Sequence, residues 1–437
     1  MSTTSKQSSD DELEPQFLAI ISDIDINVIQ QLALTARLDY STNSPLSCTV
    51  SPKPRTGAFN IVYEITFSDA LRWIIRIPVE EPWTDACARS MRLDISTQKY
   101  IASKTSIPIP QIHAASMDTN NPLRHPYTIY DFVPGTNLCK VWNNASWWMG
   151  VREKDRVLRS IAKWMVELST LEFDKIGRLD YDELTGTTTV VNYTSIREFH
   201  SDLNDSSETF GPFTSTHAFS SALIPGRRMA RDTPMLALLQ LYLSALPDSR
   251  FDGPPFVLGH PDFDSQNILI DEAGNITGLI DWDGVDVGPR QLNALSYPSW
   301  LTVDWDPLFY GRSAEASPED NQAYDSPSEL AHYRRVYLAA IDDLSEGRLT
   351  EVTRNSHILS TLHIALCNPI ATSGIMDHIG KFVLGSSSMT YELEDAIKVG
   401  SWFALGPNPS TIAEVIINNE ESLSEGSDGP TDDRSAE

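Results

Sequence analysis

The hydrophobic positions in the first third of the chain change their spacing several times. After Asp25, apolar residues recur at three- and four-residue steps, which predicts a helix with Asp25 as its cap. Further along, apolar and polar positions mostly alternate, as is typical of strands, with one helical stretch between them. The predicted elements are strands at 60–67, 73–77 and 127–133 and a helix at about 87–104. This part of the chain therefore predicts a small strand-rich unit that holds a helix.

The remainder of the chain is predicted to be mainly helical, because its apolar residues follow a helical period over long stretches. Helices are expected at about 156–171 and 235–246 and again between about 328 and 403, whereas 180–234 is polar and aromatic with no clear period. A short strand at 256–258 precedes a loop, and a hairpin with its turn at Gly274-Asn275 follows over 267–280. The Ser- and acid-rich ends, 1–24 and 409–437, are predicted to be disordered.

The overall charge is strongly negative. The 437 residues are 41% apolar, which is enough for a full core, and the formal net charge is −27, of which the two acidic ends carry about nine. About −18 therefore remains for the folded part. A body this acidic repels phosphate backbones, so we expect no nucleic-acid partner. A nucleotide is not excluded, because it can bring its own Mg²⁺.

The cysteines and the apolar runs exclude several other classes. The four cysteines show no CxxC spacing, so neither a zinc site nor a redox motif is indicated. The start of the chain lacks the features of a signal peptide, and no apolar run reaches membrane-spanning length. We therefore expect a cytoplasmic protein with no membrane partner. The sequence does not predict an oligomeric state.

Candidate chemistry is concentrated in the segment Gly259-His-Pro-Asp-Phe-Asp-Ser-Gln-Asn267 and in the hairpin that follows it. Asp262 and Asn267 lie five residues apart on one loop, and the hairpin returns the chain so that Asp281 can lie beside Asn267. Phosphoryl transfer from a nucleotide requires a carboxylate at the incoming hydroxyl and oxygen ligands for Mg²⁺. The spacing therefore suits a phosphotransferase. The alternative is a loop of turn-forming residues in which Asp262 is only a cap.

The same segment resembles the His-x-Asp-x-x-x-x-Asn motif of aminoglycoside phosphotransferases and of the related choline and homoserine kinases. Ile280-Asp281-Trp282 is similar to the metal-binding motif of that family. The segments 57–63, 73–78 and 107–110 resemble the small lobe of fungal members, and 130–135 resembles the hinge between lobes. The resemblance covers about 25–406. It implies a bilobal α+β protein kinase-like fold, with an N-lobe at 25–133, a C-lobe at 134–408 and the nucleotide between them.

The resemblance also implies roles for individual residues. Asp262 would be the catalytic carboxylate, and His260 would orient the catalytic loop. Mg²⁺ would be held by Asn267 and Asp281. The nucleotide would be bound by residues of the small lobe, namely Gly57, Ala58, Phe59 and Asn60 over the phosphates, Arg76 with its acidic partner Asp94, and Asp131, Phe132 and Val133 at the adenine edge.

The chain departs from the family pattern at three places. Arg76 stands where the family often has Lys, and Asp94 stands where a Glu is usual; Arg pairs well with carboxylate and phosphate, so the exchange can be self-consistent. The alternative for Arg76 is a charge on an edge strand. The loop at Gly57 carries a single glycine, and Pro261 replaces a common Gly between His260 and Asp262.

The sequence therefore predicts an ATP- and Mg²⁺-dependent kinase that phosphorylates a hydroxyl or amine of a small molecule. The acidic body favours a neutral or cationic acceptor. A second hypothesis, motivated by Arg76 and the single glycine, is a catalytically decayed kinase fold that binds nucleotide or acts as a scaffold. A phosphatase or hydrolase is a third and weaker hypothesis.

Overall fold

The computed structural model describes residues 14–38, 46–80, 82–193, 210–224, 233–312 and 324–384. The chain divides into two compact units, a small unit comprising Met1–Ile95 and Pro110–Val133 and a large unit comprising Ser96–Ile109 and Pro134–Glu437. Helices and antiparallel sheets are both present, so the predicted α+β class is confirmed. The large unit takes in 96–109, which the sequence assigns to the N-lobe.

The small unit is built on one antiparallel sheet of six strands. The strand order is β1-β3-β4-β6-β5, and β2 pairs with β3. Its elements are α1 (Pro15–Asp23), α2 (Ile26–Leu38), β1 (Cys48–Val50), β2 (Arg55–Thr56), β3 (Asn60–Phe67), β4 (Arg72–Pro78), α3 (Asp85–Lys104), β5 (Ile112–Ser116) and β6 (Tyr127–Asp131). The helix α3 crosses the division between the units at Ile95/Ser96.

The alternating sequence of β3 and β4 gives their sheet two different faces. Every second residue of both strands is buried and every other one is half-buried. The buried side chains form the core of the small unit together with Phe17 and Ile20 of α1 and Ile29 of α2. The half-buried face carries Val62, Ile74 and Arg76.

The prediction that 1–24 is disordered is wrong for the part of it that the structure describes. Residues Pro15–Asp23 form α1, and Phe17 and Ile20 are 6% and 3% exposed. The apolar side chains spaced along this short segment repay the cost of ordering it, although the acidic residues before it dominate the composition. Residues 1–13 and the predicted tail 409–437 lie outside the described residues. Asp25 does cap α2 as predicted, because its Oδ1 accepts from Asn27 N at 2.9 Å.

The large unit combines helices with three short sheets, in the orders β10-β9, β14-β11-β8 and β13-β12-β7. Its elements are β7 (Thr136–Asn137), α4 (Cys139–Trp142), α5 (Lys154–Leu168), β8 (Glu172–Phe173), β9 (Arg178–Asp182), β10 (Thr187–Val191), α6 (Thr216–Leu223), α7 (Thr233–Ala245), β11 (Phe256–Gly259), β12 (Ile268–Ile270), β13 (Ile276–Leu279), β14 (Asp286–Gly288), α8 (Pro327–Ser345), α9 (Thr350–Arg354), α10 (Ser356–Cys367) and α11 (Pro369–Leu384).

One extended core joins the helices of the large unit to the strands β11, β12 and β13. Val157, Ile161 and Met165 of α5 are fully buried, in agreement with the amphipathic pattern of that helix. The stretch that lacked a period contains β9, β10 and α6 in its described residues, and the predicted helical pattern beyond 384 lies outside them. Among the described residues no single helix is long and apolar enough to cross a membrane; α1 and α2, bent by 68°, reach that length and composition only as a pair.

Candidate active site

The loop that carries the motif begins at the end of β11 and is anchored there by Asn293. A Cβ added at Gly259 would lie 2.6 Å from the Cα of Asn293, so only glycine allows this approach. The Asn293 Nδ2 donates to the carbonyls of Val257 at 3.0 Å and Asp286 at 3.1 Å. Because Asn293 joins β11 to β14 in this way, the backbone is held in place where the loop begins, at His260.

Asp286 is part of this anchor. It lies in β14, where its Oδ1 accepts from Asn293 Nδ2 at 3.1 Å and its Oδ2 accepts from Tyr193 OH at 2.7 Å. Sequence spacing could not indicate the contact with Tyr193, which lies 93 residues away.

The second half of the loop is a single turn of 3₁₀ helix, Ser265–Asn267, which Asp264 caps by accepting from Gln266 N at 3.2 Å. Asp264 also accepts a hydrogen bond from Ser299 Oγ, and Ser299 N donates to Phe263 O at 3.0 Å. Through these contacts Asp264 supports the loop. The cap of the turn is therefore Asp264, which leaves the Asp262 carboxylate outside the capping interaction.

His260 joins the loop to the end of the β12–β13 hairpin. Its Nε2 lies 2.8 Å from Ile280 O, and because a carbonyl can only accept, Nε2 carries the proton. The Nδ1 then accepts from Asp262 N at 3.3 Å. Burial lowers the pKa of His260, which favours the neutral ring that this arrangement needs. Its ring also packs edge-on against Trp282, at 4.6 Å between centroids.

Asp262 is exposed, but one oxygen of its carboxylate is held by two amides. Its Oδ2 accepts from Gln266 Nε2 at 2.7 Å and from Asn267 Nδ2 at 3.0 Å. Among the described residues no donor is hydrogen-bonded to Oδ1. Sequence reasoning missed Gln266. Its position four residues after Asp262 within one tight turn is the only signal that could have indicated it.

Asn267 has its amide orientation set by Asp262. Its Nδ2 donates both to Asp262 Oδ2 at 3.0 Å and to Asp262 O at 2.8 Å, which uses both amide hydrogens. The Oδ1 of Asn267 is then the atom that these bonds leave available. Asn267 O accepts from Ile280 N at 3.0 Å, so the residue before Asp281 is hydrogen-bonded to the loop.

Asp281 follows β13 and Ile280, with its side chain exposed. Its φ is +67°, in the left-handed region that few residues other than glycine adopt, although Asp and Asn tolerate it better than most. Ile280 holds this position through the bonds that its N and O make to Asn267 and His260. The structure therefore brings Asn267 and the start of the Asp281 motif together across the hairpin, as the spacing predicted.

The two residues proposed from the sequence as Mg²⁺ ligands fit that ion by their chemistry. One amide oxygen and one carboxylate suit Mg²⁺, which keeps several waters and takes substrate phosphates as further ligands. Over the described part of the chain, no group of three or more His, Cys, Asp or Glu side chains could hold a metal. A metal bound at Asn267 and Asp281 would therefore need further oxygen ligands, from water or from the phosphates of the nucleotide.

In the small unit, the predicted phosphate-covering segment consists of Gly57–Phe59, which connect β2 to β3, and of Asn60, the first residue of β3. Gly57 N donates to Asn60 O at 2.9 Å, and Phe59 is 74% exposed. A Cβ added at Gly57 would meet no atom nearer than Asn60 O at 3.9 Å. The chain itself therefore does not require glycine at this position.

Arg76 lies on β4, which is an interior strand of the sheet between β3 and β6. The alternative of an edge-strand charge is therefore wrong. Arg76 faces Val62 across the β3–β4 pair, and Val62, Ile74 and Phe132 line a cavity of about 60 Å³ on the same half-buried face. Asp94, on α3, is 7% exposed. The pairing of Arg76 with Asp94 stays a prediction.

The predicted hinge uses part of its backbone within the small unit. Asp131 N donates to Gln111 O at 3.0 Å and Phe132 N donates to Arg72 O at 3.1 Å. These two donors are therefore not available to an adenine edge, so only the other backbone groups of Asp131–Val133 could serve the predicted role. The Phe132 ring is itself covered by the Arg72 guanidinium, 3.5 Å from the ring centroid.

The family assignment rests on a direct match. The model of the phosphotransferase enzyme family matches residues 53–330, which is more than half of the chain and includes the whole loop and hairpin described above. The chain belongs to this family, and the resemblance to aminoglycoside phosphotransferases is confirmed. Membership supports a kinase-type phosphotransferase of small molecules as the class of this protein.

Curated relatives match only part of the chain. It is 24% identical over 127 residues to altered inheritance of mitochondria protein 9 of Meyerozyma guilliermondii, covering 29% of this chain and 20% of that protein. The same protein of Lodderomyces elongisporus is 26% identical over 132 residues, covering 30% of this chain and 21% of that protein. The chain spans about a fifth of the length of these relatives.

Two solved structures are similar to the chain at low identity. A macrolide 2′-phosphotransferase from Brachybacterium faecium is 12% identical with a TM-score of 0.43, covering 85% of this chain and 97% of that one. An aminoglycoside phosphotransferase, in a ternary complex with AMP-PNP and hygromycin B, is 16% identical with a TM-score of 0.39, covering 87% of this chain and 96% of that one. Both TM-scores lie below 0.5, so the assignment rests on the family match.

Proposed function

We propose that this protein is a small-molecule kinase that transfers the γ-phosphoryl group of ATP to a hydroxyl or amine of a small acceptor. Asp262 is the catalytic carboxylate in this proposal, and Asn267 and Asp281 hold Mg²⁺. One observation carries it: the Asp262 carboxylate is exposed and has one oxygen, Oδ2, fixed by two amides, while no described residue donates to Oδ1. A carboxylate arranged in this way can orient an incoming hydroxyl and accept its proton.

The neighbouring residues support each part of that chemistry. His260 fixes the backbone of Asp262 through its Nδ1, and it links the loop to Ile280, the residue before Asp281. Mg²⁺ at Asn267 and Asp281 would neutralise phosphate charge as it builds up during transfer. The residues of this chain then have to align the acceptor, hold its proton at Asp262 Oδ1 and keep the two ligand oxygens in place.

We expect Arg76→Ala to raise the apparent KM for ATP by about tenfold or more, because a guanidinium bound to phosphate contributes about 1.5–3 kcal/mol. Arg76→Lys should be intermediate, since Lys keeps the charge but not the planar fork. Initial rates over a range of ATP concentrations measure both effects. Arg124→Ala is the matched control, because Arg124 is an exposed arginine of the small unit that is paired with Asp23. If Arg76→Ala left the KM unchanged, Arg76 would have no role in nucleotide binding.

The acceptor is proposed to be neutral or cationic. Asp262, Asp281 and Asp283 are all exposed around the loop and the hairpin end, and bound Mg²⁺ offsets only part of that charge. The test is a panel of amino alcohols, neutral sugars and hydroxy acids. The turnover of the cationic amino alcohols should exceed that of the hydroxy acids by about tenfold at low salt and by less at high salt. Selective turnover of a hydroxy acid, insensitive to salt, would show that the field of these carboxylates does not choose the acceptor.

The proposed function is tested by measuring ATP binding with and without Mg²⁺ and then ATP turnover against the same panel of alcohols and amines. A kinase binds Mg²⁺-ATP and gains turnover when one acceptor is present. Binding without turnover against any acceptor would favour the decayed kinase fold that Arg76 and the single glycine suggest. Acceptor-independent release of phosphate would favour a hydrolase.

A further inference from the structure

Gln266 has a main chain that is held from both sides. Its N donates to Asp264 Oδ1 at 3.2 Å, and its O accepts from Asn137 Nδ2, on β7, at 2.6 Å. Asp264 is in turn bonded to Ser299 Oγ. None of these bonds uses the Gln266 side chain, so a substitution at this position leaves the path of the loop supported.

The side chain of Gln266 contacts the reactive carboxylate directly. Its Nε2 donates to Asp262 Oδ2 at 2.7 Å, which is shorter than the 3.0 Å bond from Asn267 Nδ2 to the same oxygen. Asn267 also bonds the main-chain oxygen of Asp262 at 2.8 Å, so its amide serves two acceptors. The two amides are the only side chains of the described residues that hold the Asp262 carboxylate.

We propose that Gln266 is a positioning residue for phosphoryl transfer: its amide fixes the rotamer of Asp262 so that Oδ1 faces the acceptor. This inference rests on the proposed function and extends it to a residue outside the family motif. Without this donor the exposed carboxylate is held only by the Asn267 amide, which also serves the main-chain oxygen, so it turns more readily about its Cα–Cβ and Cβ–Cγ bonds and exchanges bonds with water. The fraction of molecules with Oδ1 in the reactive orientation then falls, while the proposed nucleotide ligands Asn267 and Asp281 keep their places.

Two near-isosteric substitutions test this role. Gln266→Met keeps the length of the side chain and removes the donor, and Gln266→Glu keeps the shape but places a second carboxylate against Asp262. We expect kcat to fall by about 10- to 100-fold in Gln266→Met, the loss of one hydrogen bond to a charged group, and at least as far in Gln266→Glu. The KM for ATP and the melting temperature should stay at the wild-type values. Gln240→Met, at an exposed position on α7, is the matched control.

The kinetic outcomes decide between positioning and packing. A lower kcat with an unchanged KM supports the proposal. An unchanged kcat, or a fall in kcat accompanied by a raised KM and a lower melting temperature, overturns it.

Crystal structures of wild type and Gln266→Met separate this proposal from the function on which it rests. If the wild type transfers no phosphate to any acceptor, the proposed function fails. The orientation of Asp262 in the two crystal structures then decides whether Gln266 positions this side chain. An Asp262 side chain that changes its rotamer or loses its order in Gln266→Met supports the positioning role. An Asp262 side chain that keeps its wild-type orientation overturns it.

Discussion

Asp262→Asn is expected to lower kcat for phosphoryl transfer by about 10²- to 10⁴-fold, the range that general acid–base groups contribute. The affinity for Mg²⁺-ATP should stay within about twofold of wild type, because the proposed role of the carboxylate is on the acceptor. Asn keeps the size of the side chain, and its Oδ1 or Nδ2 can still contact the amides of Gln266 and Asn267. The substitution therefore removes the charge and the proton acceptor with little change in packing.

Steady-state kinetics with saturating acceptor and isothermal titration of ATP measure the two quantities in one preparation. Asp343→Asn is the matched control, since Asp343 is an exposed carboxylate on α8 with no role in the site. Equal turnover in Asp262→Asn and wild type would remove Asp262 from the catalytic role. Equal losses of turnover and of ATP affinity would instead indicate that Asp262 supports the nucleotide site.

The second large effect is expected at the metal ligands. Asp281→Ala should weaken Mg²⁺-dependent ATP binding by more than tenfold, and by more than Asn267→Ala does, because a charged ligand contributes more than an amide. Asn267→Ala should in addition lower kcat, since it removes two hydrogen bonds to Asp262. Asp281→Ala is therefore expected to change mainly the affinity for Mg²⁺-ATP, whereas Asn267→Ala also changes kcat.

Backbone strain at Asp281 requires a control of its own. The φ of +67° costs an alanine about 1–2 kcal/mol, whereas asparagine tolerates it better. Asp281→Asn separates the two effects, because it keeps the conformation and removes only the charge. Titrations of ATP at several Mg²⁺ concentrations, with EDTA as the metal-free reference, give the affinities. If EDTA and all three substitutions left ATP affinity unchanged, the metal site would lie elsewhere.

Local sequence patterns predicted the elements that carry the motif. The strand at β11, the hairpin β12–β13 and the return of the chain toward Asn267 are determined by short-range spacing and turn residues, and the structure has all of them. The interior position of β4 could not be predicted in the same way, because the order of strands in a sheet depends on long-range pairing. The observed order places β4 between β3 and β6, so Arg76 is not on an edge strand.

The contacts that support the loop could not be predicted from the sequence, because they join residues that are far apart along the chain. Ser299 approaches Asp264 from 35 residues away, and Asn137 approaches Gln266 from 129 residues away. At the N-terminus, acidic composition pointed to disorder, whereas Phe17 and Ile20 are buried in the core of the small unit. Composition averages over a segment, so it does not show that single apolar side chains are placed to pack on a core.

Transfer of label from [γ-³²P]ATP into a metabolite extract, compared between wild type and Asp262→Asn, shows whether this protein phosphorylates a small molecule through Asp262. We expect a labelled small molecule that forms only with wild-type protein and only with Mg²⁺. A labelled product that forms equally well with Asp262→Asn, or no labelled product although Mg²⁺-ATP binds, would contradict the claim that this protein is a small-molecule kinase acting through Asp262.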